Sequence, residues 1–436
     1  MLKHPKSGNP KVVAAYLIRQ VLEESLFINK LLYNSIDSFP LPHRKFITNI
    51  TSGTIRNLRL IDFWISSAFK KEVRFIDPEI LSVLRVSVFQ ILFMSNRKPP
   101  VVVHECVEII KKSYGKKQAK FANYILRQLL RLEPSDENLK KILGGDNNEF
   151  LKYKYSFPDW FFNILNDFTE GKNIKEYLEL FNKPLGITLR VEGDEEKRKK
   201  IIAFLRDHGI AAYPSEISPC GIYTARAVSY ELIKDFDNVY IQDESSQMVV
   251  QDMELEPGDN VLDLCAAPGG KTMYISSLVG EEGYVTAVDF NKYKLKQLGE
   301  SMIHHHKTNF DIKLHDLTVS REEWDDSFNK ILLDAPCTSL GTIRRHPEMK
   351  WQKSPEDIKN LAGISRFILN NAARYIKPGG TILFSVCTFT KEETDDQIND
   401  FINDHPNFFI EKAYYTISSI HDNRDLFYIA KIRRSS

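Results

Sequence analysis

Apolar residues in the first part of the chain recur at helical spacing. Val13, Leu17 and Val21 repeat every fourth position with Ala14, Ile18 and Leu22 beside them, and Asn9-Pro10 supplies a start signal. Asp77-Pro78 opens a second stripe through Leu84, Val88, Ile91 and Leu92, which Pro99-Pro100 is expected to stop. Residues 101–131 predict two further helices, and no strand pattern competes. The text turns polar over EPSDENLKKILGGDNNE, a boundary signal. Beyond it, helical and strand-like pieces mix, including a strand over 187–191 (ITLRV) and a helix over 195–209, with no chemical motif. From residue 260 the pattern alternates. NVLDLC precedes AAPGGK and a helix over 271–279, and YVTAVD precedes a helix over 291–304. IKLHD and KILLDAP follow, then a helix over 356–376, the turn KPGG, and TILFSVC. Such alternation predicts a mostly parallel sheet covered by helices on both faces. The fold class is therefore multi-domain: an all-α domain over 1–135, a small α+β connecting domain over 136–240, and an α/β, Rossmann-like domain over 241–436.

Composition narrows the class. At 436 residues, 42% apolar and 27% charged, the chain is an ordinary globular protein, with no apolar run long enough to cross a bilayer. MLKHPKSGNP lacks a signal-peptide core, and five scattered cysteines do not suit a disulfide framework, so a cytoplasmic monomer without membrane partners is expected. There is no C-x-x-C pair, and adjacent side chains of His304-His305-His306 point about 100° apart on a helix, so no metal is expected. The net charge of +1 hides an asymmetry: residues 1–150 carry +10 and the remainder −9. A basic front end suits a polyanion such as RNA, and equally suits solvated helix faces. Lys111, Lys112, Lys116, Lys117 and Lys120, clustered around one helix connection, are the leading backbone-phosphate contacts.

In a parallel sheet, ligands bind outside the carboxyl ends of the strands, where the suggestive residues fall. The loop after the first strand, with Gly269 and Gly270, lets backbone approach a ligand, and the helix start behind it offers free N–H groups to an anion. It lacks G-x-G-x-x-G and does not meet P-loop spacing, which disfavours a dinucleotide or a nucleoside triphosphate. Asp289 closes the second strand, where a carboxylate suits ribose hydroxyls, and Asp316 closes the third, near an adenine amino group. Either aspartate alone fits a helix cap as well. Together with the glycine loop they point to a nucleoside cofactor without a pyrophosphate, such as S-adenosylmethionine.

LLDAPC and SVCT place Cys337 and Cys387 at two further strand ends, with Asp334 beside the first. Carbon 5 of cytosine is a poor nucleophile until a thiolate adds to carbon 6. A carboxylic acid supplying a proton or hydrogen bond to ring nitrogen 3 would ease that addition, which suits Asp334. A second thiol would help the later release. Chemistry alone does not decide which cysteine attacks. Cys106 and Cys265 read as small buried hydrophobes.

DLCAAPGGKT, LLDAPC, IRRHPEMKW and the SVCT segment resemble the RNA cytosine-5 methyltransferases, and LRVSVFQILFM and KFANYILRQLL resemble the NusB-type RNA-binding domain. The combination is similar to the bacterial 16S ribosomal RNA cytosine-5 methyltransferases, and the likeness spans nearly the whole chain, 150–235 most loosely. It implies that Cys265, Ala266, Ala267, Pro268, Gly269, Gly270 and Lys271 wrap the methionine and ribose of S-adenosylmethionine, that Asp289 holds the ribose, and that Asp316 lies by the adenine. Asp334 would stand between cofactor and cytosine, with Cys387 as nucleophile and Cys337 assisting release. The distant DNA enzymes assign the two cysteines the other way round. Lys271 is expected to touch substrate or to position Asp334. Arg344, Arg345, His346, Lys350 and Trp351 are expected to line the path of the RNA, with packing at a structural turn as the competing reading. Val386, Thr338-Ser339-Leu340 and His315-Asp316-Leu317 depart from the family's pattern, which bears on loop geometry and turnover. The target cytosine must be unpaired or flipped. Two functional alternatives follow from the same residues: methylation of transfer RNA, and an RNA-binding assembly factor without turnover. A nicotinamide-dependent oxidoreductase is disfavoured by the absent G-x-G-x-x-G.

Overall fold

The computed structural model describes residues 8–224, 228, 230–236, 238–417 and 424–436, so most of the polar amino-terminal stretch lies outside the described residues. The chain divides into two compact units, one running to Lys183 and completed by Ile343–Ser354, the other built from Pro184–Thr342 and Pro355–Ser436. Residues 136–240 are thus shared: the helices to Asn182 lie in the first unit and the strands in the second.

The first unit is helical. Its opening helix, Pro10–Glu23, starts where the Asn9 side chain accepts from the Lys11 amide, and it buries Val13, Leu17, Ile18 and Val21 along one stripe. Asp77 caps Pro78–Phe93 in the same way. That helix already ends at Phe93, and Pro99-Pro100, expected as a stop, opens the next helix, Pro99–Tyr114. Proline fits there because a first-turn N–H has no helical partner to lose. Gly115, at φ +90°, turns the chain into Lys116–Arg131.

The second unit holds two sheets. Strands β1 (Ile187–Val191), β2 (Ala212–Pro214), β3 (Gly221–Thr224) and β4 (Val239–Ile241) form an antiparallel sheet in the order β2-β3-β1-β4. The larger sheet comprises β5 (Asn260–Leu264), β6 (Tyr284–Asp289), β7 (Phe310–Leu314), β8 (Phe328–Asp334), β9 (Ile376–Val386), β10 (Phe408–Tyr415) and β11 (Tyr428–Arg434), ordered β10-β11-β9-β8-β5-β6-β7. Strands β5 to β9 are parallel, and β11 and β10 close one edge antiparallel.

Both faces of this sheet are buried, which is why its strands read as continuous apolar runs. Leu262, Leu264, Ile331, Leu333 and Phe384 face one core with the helix Pro355–Tyr375, while Val261, Leu332 and Leu383 face another with the helix Gly270–Val279. The KPGG turn is a bulge inside β9, since Ile376 pairs with Phe328 and Thr381 with Lys330. The chain builds outward from β5 in both directions, to β6 and β7 on one side and to β8 and β9 on the other. The crevice between the carboxyl ends of β5 and β8 is therefore the topological switch point. Among the described residues no helix is long and apolar enough to cross a membrane.

Candidate active site

At the carboxyl end of β5 the backbone turns sharply, with Cys265 at φ +63° and Gly269 at φ +107°. A Cβ on Gly269 would also stand 2.7 Å from Leu298 Cγ, so both backbone angle and packing require glycine there. The helix Gly270–Val279 starts directly behind with no side-chain cap, leaving its first amides free for an anion. Beneath it lies buried Asp263. Its Oδ2 accepts from the Thr272 hydroxyl at 2.6 Å, while its Oδ1, also buried, has no hydrogen-bond partner. Burial pushes the Asp263 carboxyl up to about 7 against the pull of the Thr272 bond, with Asp334 adding to the rise.

Asp289 ends β6 and pins the glycine loop, its Oδ2 accepting from Ala267 N at 3.2 Å and its Oδ1 from Asn291 N at 2.8 Å. The cap reading fails for it, because Asn291 caps the helix Lys292–His304. Asp316 is exposed beyond β7, and its Oδ1 accepts from the hydroxyl and amide of Thr318, which hold its carboxyl below the ordinary value. Both aspartates line a cleft of about 630 Å³ together with Cys265, Ala267, Asp334, Cys337 and Cys387, walled by apolar Leu317, Ile364 and Ile368.

Asp334 ends β8 opposite Ser385 of β9, and both its oxygens are occupied: Oδ1 accepts from Ser385 Oγ at 2.7 Å and Oδ2 from Lys271 Nζ at 2.6 Å. Burial disfavours the Lys271 ammonium, yet the adjacent Asp334 carboxylate outweighs it and raises the lysine above its usual value. Three residues past β8 and one past β9, Cys337 Sγ and Cys387 Sγ approach to 3.4 Å. Cys387 Sγ also lies 3.4 Å from Ser339 Oγ. Contact with the Cys387 sulfur, followed by burial, pushes the Cys337 thiol well above its ordinary value. Cys106 is buried in the helical unit, as expected of a small hydrophobe, whereas Cys265 is only partly buried and borders the cleft.

The segment IRRHPEMKW requires a correction. Arg344 and Lys350, expected along the path of the RNA, are each 1% exposed and packed inside the helical unit. Lys350 Nζ donates to Arg56 O and Ser156 O at 2.8 Å and to Asn182 Oδ1 at 3.2 Å, over the Phe157 ring. Arg344 Nε donates to Lys183 O, and Arg56 returns a bond to Arg344 O. Trp351 Nε1 donates to Ile55 O, and fully buried Glu348 accepts from Ile28 N, with His346 at 3.5 Å from its carboxylate. Arg345, His346 and Trp351 are half-buried. The segment staples helices together, the competing reading of its cations. Lys111, Lys112, Lys116, Lys117 and Lys120, by contrast, are all exposed around the Gly115 turn.

Sequence reasoning passed over Arg190 on β1. It is fully buried between the rings of Tyr240 and Tyr274, each 4.4 Å from its guanidinium, and donates to Gln242 Oε1 and to Gly270 O at 2.9 Å. The small sheet thereby grips the glycine loop. An arginine amid a β-branched and aliphatic strand was the available signal. Ser385 and Glu393 were passed over too, because hydroxyls and a charge run usually mark solvated positions.

A mostly parallel sheet with a glycine-lined, uncapped helix start at its switch point, and aspartates at the end of β6 and just past β7, defines a Rossmann-like, S-adenosylmethionine-dependent methyltransferase. Residues 250–433 match the family described as 16S rRNA methyltransferase RsmB/F, and residues 9–131 match the NusB family. Residues 250–433 are thus similar to RsmB/F-type methyltransferase domains, and residues 9–131 to NusB-type domains. It is 29% identical over 408 residues to the probable ribosomal RNA small subunit methyltransferase B of Bacillus subtilis (strain 168), covering 92% of this chain and 90% of that protein. With the ribosomal RNA small subunit methyltransferase B of Proteus mirabilis (strain HI4320) it shares 28% over 411 residues, 91% of this chain and 92% of that one. The fold matches the crystal structure of PH0851 with a TM-score of 0.81 at 24% identity, over 98% of this chain and 99% of that one. NSun6 from Pyrococcus horikoshii, solved with SFG, matches at 0.55 and 19% identity, over 65% of this chain and all of that one.

Proposed function

We propose that this protein methylates carbon 5 of a cytosine in small-subunit ribosomal RNA through a transient bond between Cys387 and the base. The observation that carries the reading is the meeting of two thiols, 3.4 Å apart, with Asp334 at the lip of one cleft. The ribosomal target rests on the names of the family and of the relatives.

The residues present fit the cofactor. The free amides from Gly270 onward suit its carboxylate, and the unpartnered Asp263 Oδ1 suits its ammonium group. Asp289, already pinned through its backbone contacts, retains lone pairs for ribose hydroxyls, and Asp316 stands on the adenine side. S-adenosylmethionine, when bound, supplies an electrophilic methyl group.

The chain's own residues do the rest. Cys387, as thiolate, adds to carbon 6 and makes carbon 5 nucleophilic. The Lys271–Asp334 pair holds a proton at ring nitrogen 3, offsetting the charge that addition creates. Cys337 remains a thiol beside Cys387. After transfer the carbon 5 proton passes to solvent water, and its bonding pair re-forms the ring double bond and expels Cys387 as a thiolate. The neighbouring Cys337 thiol stabilises that thiolate by hydrogen bonding, and the ring nitrogen 3 proton returns to the Lys271–Asp334 pair. The exposed lysines around Gly115 hold the RNA backbone.

Cys387→Ala is expected to abolish both methylation and covalent capture of RNA carrying 5-fluorocytidine, whereas Cys337→Ala retains capture and loses turnover. Capture by the Cys387 variant alone would exchange the two roles, and normal methylation by it would end the covalent reading.

A further inference from the structure

A buried carboxylate outside the cleft ties the two cysteine loops together. Glu393 lies in a short 3-10 turn just beyond β9, within a run, KEET, that reads as solvated, yet it is 1% exposed. Its Oε1 accepts from the Thr338 amide at 2.7 Å. Its Oε2 gathers three hydroxyls: Thr338 at 2.6 Å, Thr390 at 2.7 Å and Thr388 at 3.2 Å. Thr338 directly follows Cys337 and Thr388 directly follows Cys387, and these two hydroxyls are themselves 3.1 Å apart. One side chain is thus bonded to the neighbour of each sulfur.

The chemistry of this arrangement is specific. A buried carboxylate is costly unless its lone pairs are filled, and here one amide and three hydroxyls fill them. The four donors come from two loops that follow different strands, β8 and β9, so satisfying the carboxylate requires both loops in one register. Beyond the strand ends only isolated backbone bonds tie these loops, from Ala335 N to Ser385 O, from Gly341 N to Cys387 O and from Leu426 N to Gly341 O, with no regular ladder among the described residues. Nothing else in the cleft needs Glu393, whose side chain is not among those lining it.

We infer that Glu393 is a positioning residue, a clamp that sets the separation and orientation of the Cys337 and Cys387 sulfurs. The inference rests on the reading that these two thiols act on the base, and it adds a residue and a mechanism that the reading does not contain.

The test uses the full-length protein and reads the clamp separately from methylation. Diamide oxidises neighbouring thiols to a disulfide while being reduced to its hydrazine, and mass spectrometry of linked peptides follows the 337–387 pair. Glu393→Ala, and independently Thr338→Val with Thr388→Val, are expected to slow that pairing at least about tenfold. They should also lower kcat about a hundredfold, with KM for RNA and cofactor little changed, as misplacement of reacting groups by about 1 Å does. Glu393→Gln keeps an acceptor for the Thr338 amide and a partner for the hydroxyls, so it should restore most of both quantities. If Glu393→Ala proves too unstable to study, the threonine pair carries the test. Wild-type pairing rates in the variants, or a Glu393→Gln no better than Glu393→Ala, would overturn the clamp. Because pairing needs no substrate, it reports on Glu393 even if Cys387→Ala shows that the methyl transfer does not use that sulfur.

Discussion

Replacing Lys350 separates a structural cation from an RNA contact. In Lys350→Ala the acceptors Arg56 O, Ser156 O and Asn182 Oδ1 lose their donor in a position closed to water. Each buried acceptor left unpaired costs roughly 1–3 kcal/mol, and a new cavity adds to that. The relief of no longer burying an ammonium, which sits near Arg56 as well, works the other way and takes back part of the sum. A net loss of about 3 kcal/mol is expected for the helical unit, or on the order of 1–2 M in the urea midpoint followed by far-UV circular dichroism. The pH dependence adds a second signature. Burial first, then Arg56, pulls the folded-state pKa of Lys350 well below 10.5, the value the unfolded chain regains. Between those two values the unfolded chain binds the extra proton, so stability rises with pH across that window, and below it the penalty is felt in full. Lys350→Met should flatten this slope. An unchanged midpoint, together with weaker RNA binding and a shallower salt dependence, would refute the buried-staple reasoning and return Lys350 to the surface role.

Arg190→Met removes the donor to Gly270 O, and should weaken S-adenosylmethionine binding about tenfold in calorimetry, worth about 1–2 kcal/mol, with RNA affinity unchanged. Changing Lys111, Lys112, Lys116, Lys117 and Lys120 to Gln should weaken binding of single-stranded RNA and flatten the log–log salt dependence by up to about 0.7 for each phosphate no longer neutralised. An unaltered slope in that variant would remove this face from the RNA interface. Asp263 has its folded pKa raised from 3.8 to about 7, so the folded chain holds the extra proton in that interval and stability falls as pH rises through it. Asp263→Asn should abolish that fall in thermal melts of the cofactor-free protein, and a persistent fall would show that another group titrates.

The sheet and the site it presents were legible because their signals are local. Runs such as NVLDL and KILLD are mostly apolar because both faces are covered, and Cys265, just past the first, and Asp334, closing the second, line the cleft. The loop from Cys265 to Lys271, Asp289, Asp316, Asp334, Cys337 and Cys387 are all brought to the cleft region by the same geometric rule. What could not be read is decided by partners far along the chain. Lys350 looks like any surface lysine until Arg56, Ser156 and Asn182 are known to surround it. Glu393 looks solvated until Thr338, 55 residues earlier, is placed over it. Arg190 was hidden for the same reason, its targets at Gln242 and Gly270 lying 52 and 80 residues away. Backbone carbonyls carry no signature in the sequence, so cations held by them cannot be told from cations facing water.

The return of Ile343–Ser354 to the helical unit sets an order of events during synthesis. When Lys183 leaves the ribosome, the helices around Arg56 and Ser156 still lack the lysine, tryptophan and glutamate that complete them, and about 160 further residues must emerge first. At about 5–20 residues per second this is a delay of roughly 10–30 seconds. Throughout it the nascent amino-terminal part presents the carbonyls of Ile55, Arg56 and Ser156 without the donors that Trp351 and Lys350 later supply.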